Sequence, residues 1–439
     1  IDSVGNVIVY KAAQNTESER TIILQSHIDM VCESSPDFNI NFETDPIVLE
    51  KDGNLMKAVG TTLGADNGIG AAVMLSILED KEISHPKIEA LFTVDEETGL
   101  TGALGLDRSL LSGEYLINLD TEEDDSVYRG CAGGQNIEAV YNLKKQDIPD
   151  STSKFNISVS GLKGGHSGLE INDNLGNALK FIAFIVSYLI NENIDFNIIH
   201  IEGGKAHNAI PRDAGISIAV NVSDKSKALD ILDDRASMLI DAYKSGTEKG
   251  LEIKIDEIEP TYHKAIDKEQ SKNIIMALNS IHSGVYRMSK TDTNLVETST
   301  NLSIVEWKDD SIVITASSRS SDKFQIEYVI QGLSTLFKSA KADNINLSSR
   351  YPGWNPLPVD KNPLLKKYIE VHKKIKGEEP KVCAVHAGLE CGVFTEKLPG
   401  IKMISIGPDI KYPHSPSEQV SIKSVDNFWK IVLELLKTL

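Results

Sequence analysis

The sequence has few cysteines and aromatic residues, and it has no excess of positive charge. Its four cysteines are scattered among 439 residues, so we interpret them as small core residues of a protein from a reducing compartment. Lysine and arginine together number 45 against 64 acidic residues, which gives a formal charge of −19. With this charge and no basic tract, the chain is a poor partner for nucleic acid or an anionic membrane.

Long apolar segments are also missing. The longest one, around residues 178–190, is interrupted by Lys180 and falls short of the roughly 20 residues that a membrane-spanning helix needs. No signal peptide opens the chain, although it begins at Ile1 without a methionine and an earlier segment could be missing. We therefore expect a cytoplasmic protein.

The order of strand and helix patterns predicts the domain organisation. Strand and helix patterns alternate over the first 130 residues and return at 401–406 and 424–438, which indicates helices packed on a largely parallel sheet. Between them, alternating strands separated by helices predict an α+β insertion, with 153–257 and 268–350 as candidates for two similar halves. We expect an α/β domain made from residues 1–135 and 347–439, with the insertion over 136–346.

Acidic and histidine residues follow the predicted strands of the α/β domain. The segment LFTVDEETGLTGA, residues 91–103, runs a buried strand directly into three acids, and other strand ends and one glycine loop also offer acid or imidazole. The residues concerned are His27, Asp29, Asp66, Asp95, Glu96, Glu97, Asp120 and His414. Because ligands of open α/β sheets bind beyond the carboxyl ends of the strands, we expect these side chains to share one edge.

Such a cluster of acids needs a positive charge. Two carboxylates about 4 Å apart repel by roughly 4 kcal/mol at an effective dielectric constant near 20. No lysine or arginine lies within these acidic segments, so a divalent metal is the simplest source of charge. Imidazole with carboxylate suits zinc, and also manganese or cobalt, but not calcium. Taken singly, each residue has an ordinary explanation as a satisfied polar group, a cap, a turn or a solvated face.

Residue spacing suggests a division of roles. His27 and Asp29 are two apart, so they lean to one side in extended backbone, and Asp29 could hold and polarise the imidazole. Adjacent Glu96 and Glu97 would point in opposite directions in extended backbone. One of the two could then bind metal while its neighbour stays free as a base.

A series of motifs runs through nearly the whole chain in a fixed order. The motifs are SHIDMV, GTTLGADNGIGAA, DEETGLTGA, NLDTEE, GCAGG, GLKGGHSG, NAIPR, YPGW, HAGLECG, and SIGP followed by PHSP. Together they resemble the aminoacyl-histidine dipeptidases, also called Xaa-His dipeptidase or peptidase D, of the M20 clan of di-zinc metallopeptidases. The resemblance implies a di-zinc aminopeptidase-like catalytic domain, with helices flanking a mostly parallel sheet, and an inserted α+β lid.

The resemblance also implies two divalent metal ions, most simply Zn²⁺, held by five residues. Asp66 would bridge the ions, and each ion would have two further ligands. These ligands are His27 and Asp120 for one ion, and Glu97 and His414 for the other.

Three further residues are implied in catalysis. Glu96 would be the general base that takes a proton from a metal-bound water, leaving a hydroxide, and passes that proton to the departing amine. Asp29 would orient His27, and His166 would donate to the developing oxyanion. His166 could instead brace its glycine-rich turn.

Candidates for binding the charged ends of a free dipeptide come from three segments. Arg319 could clamp the terminal carboxylate in a bidentate manner, and Asn208 resembles a second substrate contact of the family. Glu390 is a candidate anchor for the ammonium group. Each of these residues could instead serve ordinary surface or turn chemistry.

The implied function is hydrolysis of unblocked dipeptides, including Xaa-His substrates of the carnosine type. One alternative is an M20-type amidohydrolase that acts on N-acyl amino acids. Another is a non-catalytic metal-dependent binding homologue, which an intact Glu96 disfavours. A homodimer is favoured, because smaller-lidded relatives dimerise through the lid, although an enlarged lid could supply both halves within one chain.

Overall fold

The computed structural model describes residues 1–258, 263–290 and 292–439. Contacts divide the chain into two units. Unit 1 comprises Ile1–Cys131 with Pro352–Leu439, and unit 2 comprises Ala132–Tyr351. The domain boundaries expected at 135/136 and 346/347 lie a few residues away from these positions.

The described residues form strands and helices with the following bounds. The strands are β1 Val7–Lys11, β2 Thr21–His27, β3 Leu49–Asp52, β4 Leu55–Ala58, β5 Lys87–Thr93, β6 Tyr115–Asn118, β7 Ser126–Cys131, β8 Gly133–Asn142, β9 Lys145–Asp147, β10 Thr152–Ser160, β11 Gly165–His166, β12 Phe196–Gly203, β13 Ala209–Ile210, β14 Ala214–Asn221, β15 Glu252–Glu257, β16 Lys264–Ile266, β17 Gly284–Met288, β18 Val296–Trp307, β19 Ser311–Ser320, β20 Asn344–Leu347, β21 Lys381–Val385, β22 Lys402–Ser405, β23 Ile410–Lys411 and β24 Gln419–Ser421. The α-helices are α1 Ala65–Glu79, α2 Glu96–Gly99, α3 Thr101–Gly105, α4 Ala178–Asn191, α5 Lys225–Lys244, α6 Lys268–Ser280, α7 Lys323–Ser339, α8 Pro363–Lys376, α9 Glu390–Lys397 and α10 Ile422–Thr438. None of these helices combines the length and the apolar character that crossing a membrane requires.

Unit 1 is built on a seven-stranded, mostly parallel sheet. The strand order is β1-β5-β2-β6-β22-β7-β21, and neighbours are parallel except in the pairs β1–β5 and β22–β7. Strands in such sheets are apolar on both faces because helices cover both sides. The predicted α/β class is confirmed, and the sequence patterns at 20–25, 88–94, 115–119 and 401–406 correspond to β2, β5, β6 and β22.

Two apolar cores lie on the opposite faces of this sheet. Successive residues of a strand point to opposite faces, so Ile22 and Leu24 of β2 join one core while Ile23 joins the other. The first core receives residues from α1, α8 and α10, and the second from α3 and α9. The strands are therefore held rigidly from both sides, which fixes the position of the residues at their ends.

Unit 2 carries a nine-stranded sheet in the order β15-β10-β14-β12-β18-β19-β8-β20, with β17 paired to β18. Apart from its short strands, unit 2 consists of two halves that share one topology, strand-helix-strand-strand-helix-strand. The halves are β10-α4-β12-β14-α5-β15 and β8-α6-β18-β19-α7-β20, and in each the sheet order is fourth, first, third, second strand. They join where β12 pairs with β18. The first strand of the second half, β8, precedes the whole first half in the chain, so the segment 268–350 lacks it.

Helix α1 offers a matched test of the core of unit 1. Met74 is completely buried against the sheet, whereas the side chain of its neighbour Leu75 is 54% exposed. We expect Met74→Ala to lower the free energy of unfolding by about 2–5 kcal/mol because it leaves a cavity. Leu75→Ala should change it by less than about 0.5 kcal/mol. Urea denaturation followed by circular dichroism measures both, and equal losses would contradict this packing of α1.

Candidate metal centre

The carboxyl ends of three neighbouring parallel strands bring the predicted site residues together. His27 is the last residue of β2 and lies in register with Thr93, the last residue of β5. On its other side β2 pairs with β6, which ends two residues before Asp120. The segments that follow these strands therefore emerge side by side at one edge of the sheet.

The imidazoles and carboxylates at this edge alternate in space. The Nε2 atom of His27 lies 3.1 Å from Oδ1 of Asp66 and 3.2 Å from Oδ1 of Asp120. The Nε2 atom of His414 lies 3.2 Å from Oδ2 of Asp66 and 3.1 Å from Oε2 of Glu97. The two oxygens of Asp66 thus face different histidines, the arrangement expected of a carboxylate that bridges two metal ions.

These separations fit metal ligands. Ligands bound at about 2.0–2.1 Å in a tetrahedral zinc site lie roughly 3.3–3.4 Å apart, close to the distances observed here. His27, Asp66 and Glu97 each offer a ligand atom, and these atoms lie within 4.8 Å of one another. Oε1 of Glu97 is buried and has no hydrogen-bond partner among the described residues. The donor set and this unsatisfied oxygen both suit a divalent cation.

The hydrogen bonds of His27 fix the tautomer of its neutral imidazole. Its Nδ1 lies 3.0 Å from the backbone oxygen of Asp29 and 3.5 Å from Oδ1 of the same residue, and both oxygens can only accept a hydrogen bond. Nδ1 therefore carries a proton, and in the neutral tautomer the Nε2 lone pair is available to a metal ion. Burial alone would lower the pKa of His27, but the charge and hydrogen bond of Asp120 hold it well above its usual range, so without a metal the ring is protonated and Nε2–H donates to Asp66 and Asp120. The Asp29 carboxylate also accepts the backbone N–H groups of Glu96 and Glu97, each at 3.1 Å. It thus holds the ring and the acidic segment together.

The three consecutive acids have three different environments. Asp95 adopts a left-handed conformation with φ of 57°, and its exposed carboxylate accepts hydrogen bonds from the hydroxyls of Thr98 and Thr101. Helix α2 begins immediately afterwards, so the expectation of extended backbone at Glu96 and Glu97 was wrong. Successive helical residues are about 100° apart, and the two side chains still diverge. Glu97 faces His414, and Asp95 is a turn residue.

The pKa values of the site reflect its concentrated negative charge. Burial raises the pKa of Glu96 to about 9, and the charge of Asp120 adds to the effect. Burial also raises the pKa of Asp120 to about 6. Hydrogen bonds to Asp66 and Glu97 raise the pKa of His414 to about 10. Burial and the neighbouring carboxylates keep protons on Glu96 and Asp120, whereas, against the effect of burial, hydrogen bonds from His27 and His414 hold the pKa of Asp66 below its usual range. A divalent cation would supply a countercharge to these acids.

Asn67 is a site residue that sequence reasoning missed. Its amide donates to Oδ1 of Asp120, and its own carbonyl oxygen accepts from Ser26 and from the backbone N–H of Gly70. Gly70 allows this approach, since a Cβ there would lie 2.7 Å from the backbone oxygen of Leu119. Asn67 therefore ties helix α1 to Asp120. The only sequence signal was its position beside Asp66 in LGADNGIG.

His166, one of the candidate residues in unit 2, is held by hydrogen bonds from the backbone. Nδ1 of His166 accepts the backbone N–H groups of Gly168 and Leu169 at 3.2 and 3.1 Å, so neutral His166 carries its proton on Nε2. Burial lowers its pKa, and the charge of Arg319 lowers it further.

Asn208 and Arg319 also lie in unit 2. The strand containing His166, β11, pairs with β13, and the backbone oxygen of Asn208 accepts from Ser167. Arg319 donates from Nη1 to the hydroxyl of Tyr351 at 3.0 Å and is largely buried. Asn208 is exposed.

Glu390 lies in a setting that disfavours its expected role. It is completely buried at the start of α9, and Oε2 accepts hydrogen bonds from Gln25 and Thr93. Burial raises its pKa to about 8, and the charge of Asp120 adds to the shift. Its other oxygen, Oε1, is buried and has no hydrogen-bond partner among the described residues. Contact between Glu390 and a substrate ammonium therefore stays a prediction that its burial disfavours.

The sequence and the fold are similar to those of known peptidases. Residues 23–438 match the model of peptidase family M20/M25/M40. The cytosol non-specific dipeptidase of Escherichia coli is 38% identical over 99% of this chain and 89% of its own length. The structure of an aminoacylhistidine dipeptidase from Vibrio alginolyticus is 35% identical, covers 100% of this chain and 89% of its own, and superposes with a TM-score of 0.91. An aminopeptidase from Bacillus cereus, 16% identical over 99% of this chain and 84% of its own with a TM-score of 0.54, shares the fold.

The acidic triplet allows a matched test of metal binding. Glu97→Gln should lower the amount of bound divalent metal, because it replaces a ligand oxygen beside His414 with an amide. Asp95→Asn should retain the wild-type amount, because the side chain of Asp95 is engaged with two threonines. Elemental analysis after dialysis measures the metal-to-protein ratio. If the two variants retain equal amounts of metal, Glu97 is not a ligand.

Proposed function

The chain belongs to peptidase family M20/M25/M40, a family of metallopeptidases, and on this premise we propose that it is a dipeptidase that cleaves unblocked dipeptides, Xaa-His substrates included. The observation that carries the proposal is similarity to two dipeptidases over nearly the whole chain. The position of Asp66 between two histidines supports metal-dependent hydrolysis.

We propose a pair of divalent ions, most simply zinc, at the edge of the unit 1 sheet. Asp66 would contact both ions, and two pairs of ligands would complete the set. The pairs are His27 with Asp120, and Glu97 with His414. Two such ions bring a charge of about +4 against three carboxylates, which offsets the repulsion among them. When bound, ions of this kind lower the pKa of water and polarise a carbonyl group.

In the proposed reaction, Glu96 moves the protons. Its carboxylate takes one proton from the attacking water and later delivers it to the nitrogen of the departing amine. Two features support this role. The Asp29 carboxylate accepts the Glu96 backbone N–H and fixes the start of α2, and the side chain of Glu96 is not among the carboxylates paired with His27 or His414. As C–N cleavage proceeds, the proton neutralises the leaving group.

Residues of unit 2 are proposed to bind and stabilise the substrate. Because the backbone holds Nδ1 of His166 as an acceptor, its Nε2–H group is a donor suited to the negative charge that develops on the carbonyl oxygen. Arg319 is proposed to bind the terminal carboxylate, and its Nε has no hydrogen-bond partner within the described part of the chain. Asn208, exposed beside the strand of His166, is proposed as a further contact. A cytosolic location and a homodimer stay predictions.

An amidohydrolase acting on N-acyl amino acids is the second candidate. The burial of Glu390 favours it to a limited degree, since the expected anchor for a free ammonium group is not exposed. The similarity to dipeptidases over nearly the full length favours the first candidate.

Removing the proposed base should separate catalysis from metal binding. We expect Glu96→Gln to retain the wild-type metal content and to lower kcat by a factor of about 10²–10⁴, because the amide cannot accept the proton of water. Stopped-time assays of dipeptide cleavage with parallel metal analysis measure both. Near-wild-type turnover would remove Glu96 from the mechanism.

Substrate choice distinguishes the two candidate activities. A dipeptidase should cleave a free Xaa-His dipeptide with a kcat/KM at least about tenfold higher than that for its N-acetyl form, because it recognises the unblocked end. An amidohydrolase should show the reverse preference. Chromatographic detection of released histidine, with the same enzyme preparation and metal concentration for both substrates, decides between them.

A further inference from the structure

A single buried carboxylate accepts four consecutive backbone N–H groups in the segment that leads to Asp66. Oε2 of Glu418 lies 2.7 Å from the nitrogen of Leu63 and 3.0 Å from that of Gly64. Oε1 lies 2.8 Å from the nitrogen of Ala65 and 3.3 Å from that of Asp66. Glu418 is only 2% exposed. These bonds join parts of the chain that are more than 350 residues apart.

These N–H groups have no alternative partner close by in the sequence. Gly64 has a φ of 72°, and Asp66 (φ −83°, ψ 109°) and Asn67 (φ −110°, ψ 37°) have non-helical dihedral angles, so the regular part of α1 starts only after Asn67. Backbone N–H groups in such an irregular segment have no intrahelical acceptor, and leaving them buried without a partner is costly. Glu418 therefore supplies the acceptors for the segment that leads into α1, from a distant part of the chain.

Glu418 also belongs to the segment that carries the second histidine. It lies four residues after His414, and its backbone N–H donates to Ser415 at 3.0 Å. Strand β24 follows directly, and Val420 of this strand packs with Ala65 and Ile410 in a small apolar cluster. The same side chain is thus anchored beside one proposed metal ligand and holds the backbone of another.

We propose that Glu418 is a positioning residue for metal binding, which holds the Asp66 segment against the His414 segment before metal arrives. The inference rests on the proposed metal site. Asp66 must present one oxygen to each histidine, and a small rotation of its backbone would remove both alignments. By fixing four N–H groups at the base of Asp66, the Glu418 carboxylate sets the direction of that side chain in the metal-free protein.

The matched control is Glu89, another buried carboxylate of unit 1. It accepts the backbone N–H groups of Ser112 and Gly113 and the hydroxyl of Ser112, at distances of 2.6–3.0 Å. Glu89 lies four residues before Thr93 in β5, so it is roughly 13 Å from the edge that carries the ligands. Glutamine at either position keeps the size of the side chain and replaces an accepting oxygen with an NH₂ group.

Metal affinity distinguishes positioning from general stabilisation. Competition with a chromophoric chelator should give a dissociation constant for zinc that is about 10–100-fold higher in Glu418→Gln than in wild type. Glu89→Gln should lower the Tm of the metal-free protein but change the zinc dissociation constant less than twofold. If Glu418→Gln also lowers Tm yet binds zinc as wild type does, Glu418 is only a structural brace and the inference is overturned.

Hydrogen exchange of the wild-type protein provides a test that needs no variant. If Glu418 holds the segment in advance, the amides of Leu63, Gly64 and Ala65 should exchange slowly after metal removal and change little when zinc is added. Fast exchange that becomes slow only with zinc would overturn the inference, since the metal would then organise the segment. If wild type binds no divalent metal at all, the proposed metal site itself fails, which is a separate outcome.

Discussion

The crowding of carboxylates at one edge of a sheet is the physical constraint on which the rest of unit 1 depends. Asp66, Glu97 and Asp120 meet two imidazoles within hydrogen-bonding distance, and of these five side chains only His414 is substantially exposed. Like charges about 4 Å apart cost roughly 4 kcal/mol per pair, even with substantial screening. The raised pKa values of Glu96, Asp120 and His414 are the response of the protein alone, and a divalent cation is the compensation that such a ligand set favours.

Holding these groups in place requires polar anchors that do not themselves contact the metal. Asp29 joins the His27 ring to the start of α2, and Asn67 joins α1 to Asp120. Glu418 accepts the N–H groups before Asp66. Asp29 and Glu418 accept backbone N–H groups, whereas Asn67 holds Asp120 through a hydrogen bond between side chains. Unit 2, taken by itself, is built from two halves of one topology joined edge to edge.

Much of the fold could be predicted from the sequence because its signals are local. The apolar strands of unit 1 and the helices between them follow from hydrophobic pattern, and the alternation implies a parallel sheet. In unit 2, the predicted second half, 268–350, did not include strand β8, because β8 belongs to the second half but precedes the first half in the chain. Local sequence patterns contain no signal for the pairing of β8 with β19, because these strands are far apart in the chain.

The sequence by itself determined which chemical groups are available: carboxylates and imidazoles that follow strands, with no lysine or arginine among them. Only the tertiary structure decided which partners each of these side chains contacts. It turned Asp95 away towards two threonines, placed Glu97 against His414, and buried Glu390 in a hydrogen-bonded position. It also brought Glu418 to the start of α1, a contact between the two ends of the chain. The reason is physical, since residue type and spacing fix which bonds a side chain can make, whereas the choice among them depends on neighbours that folding brings from distant parts of the chain.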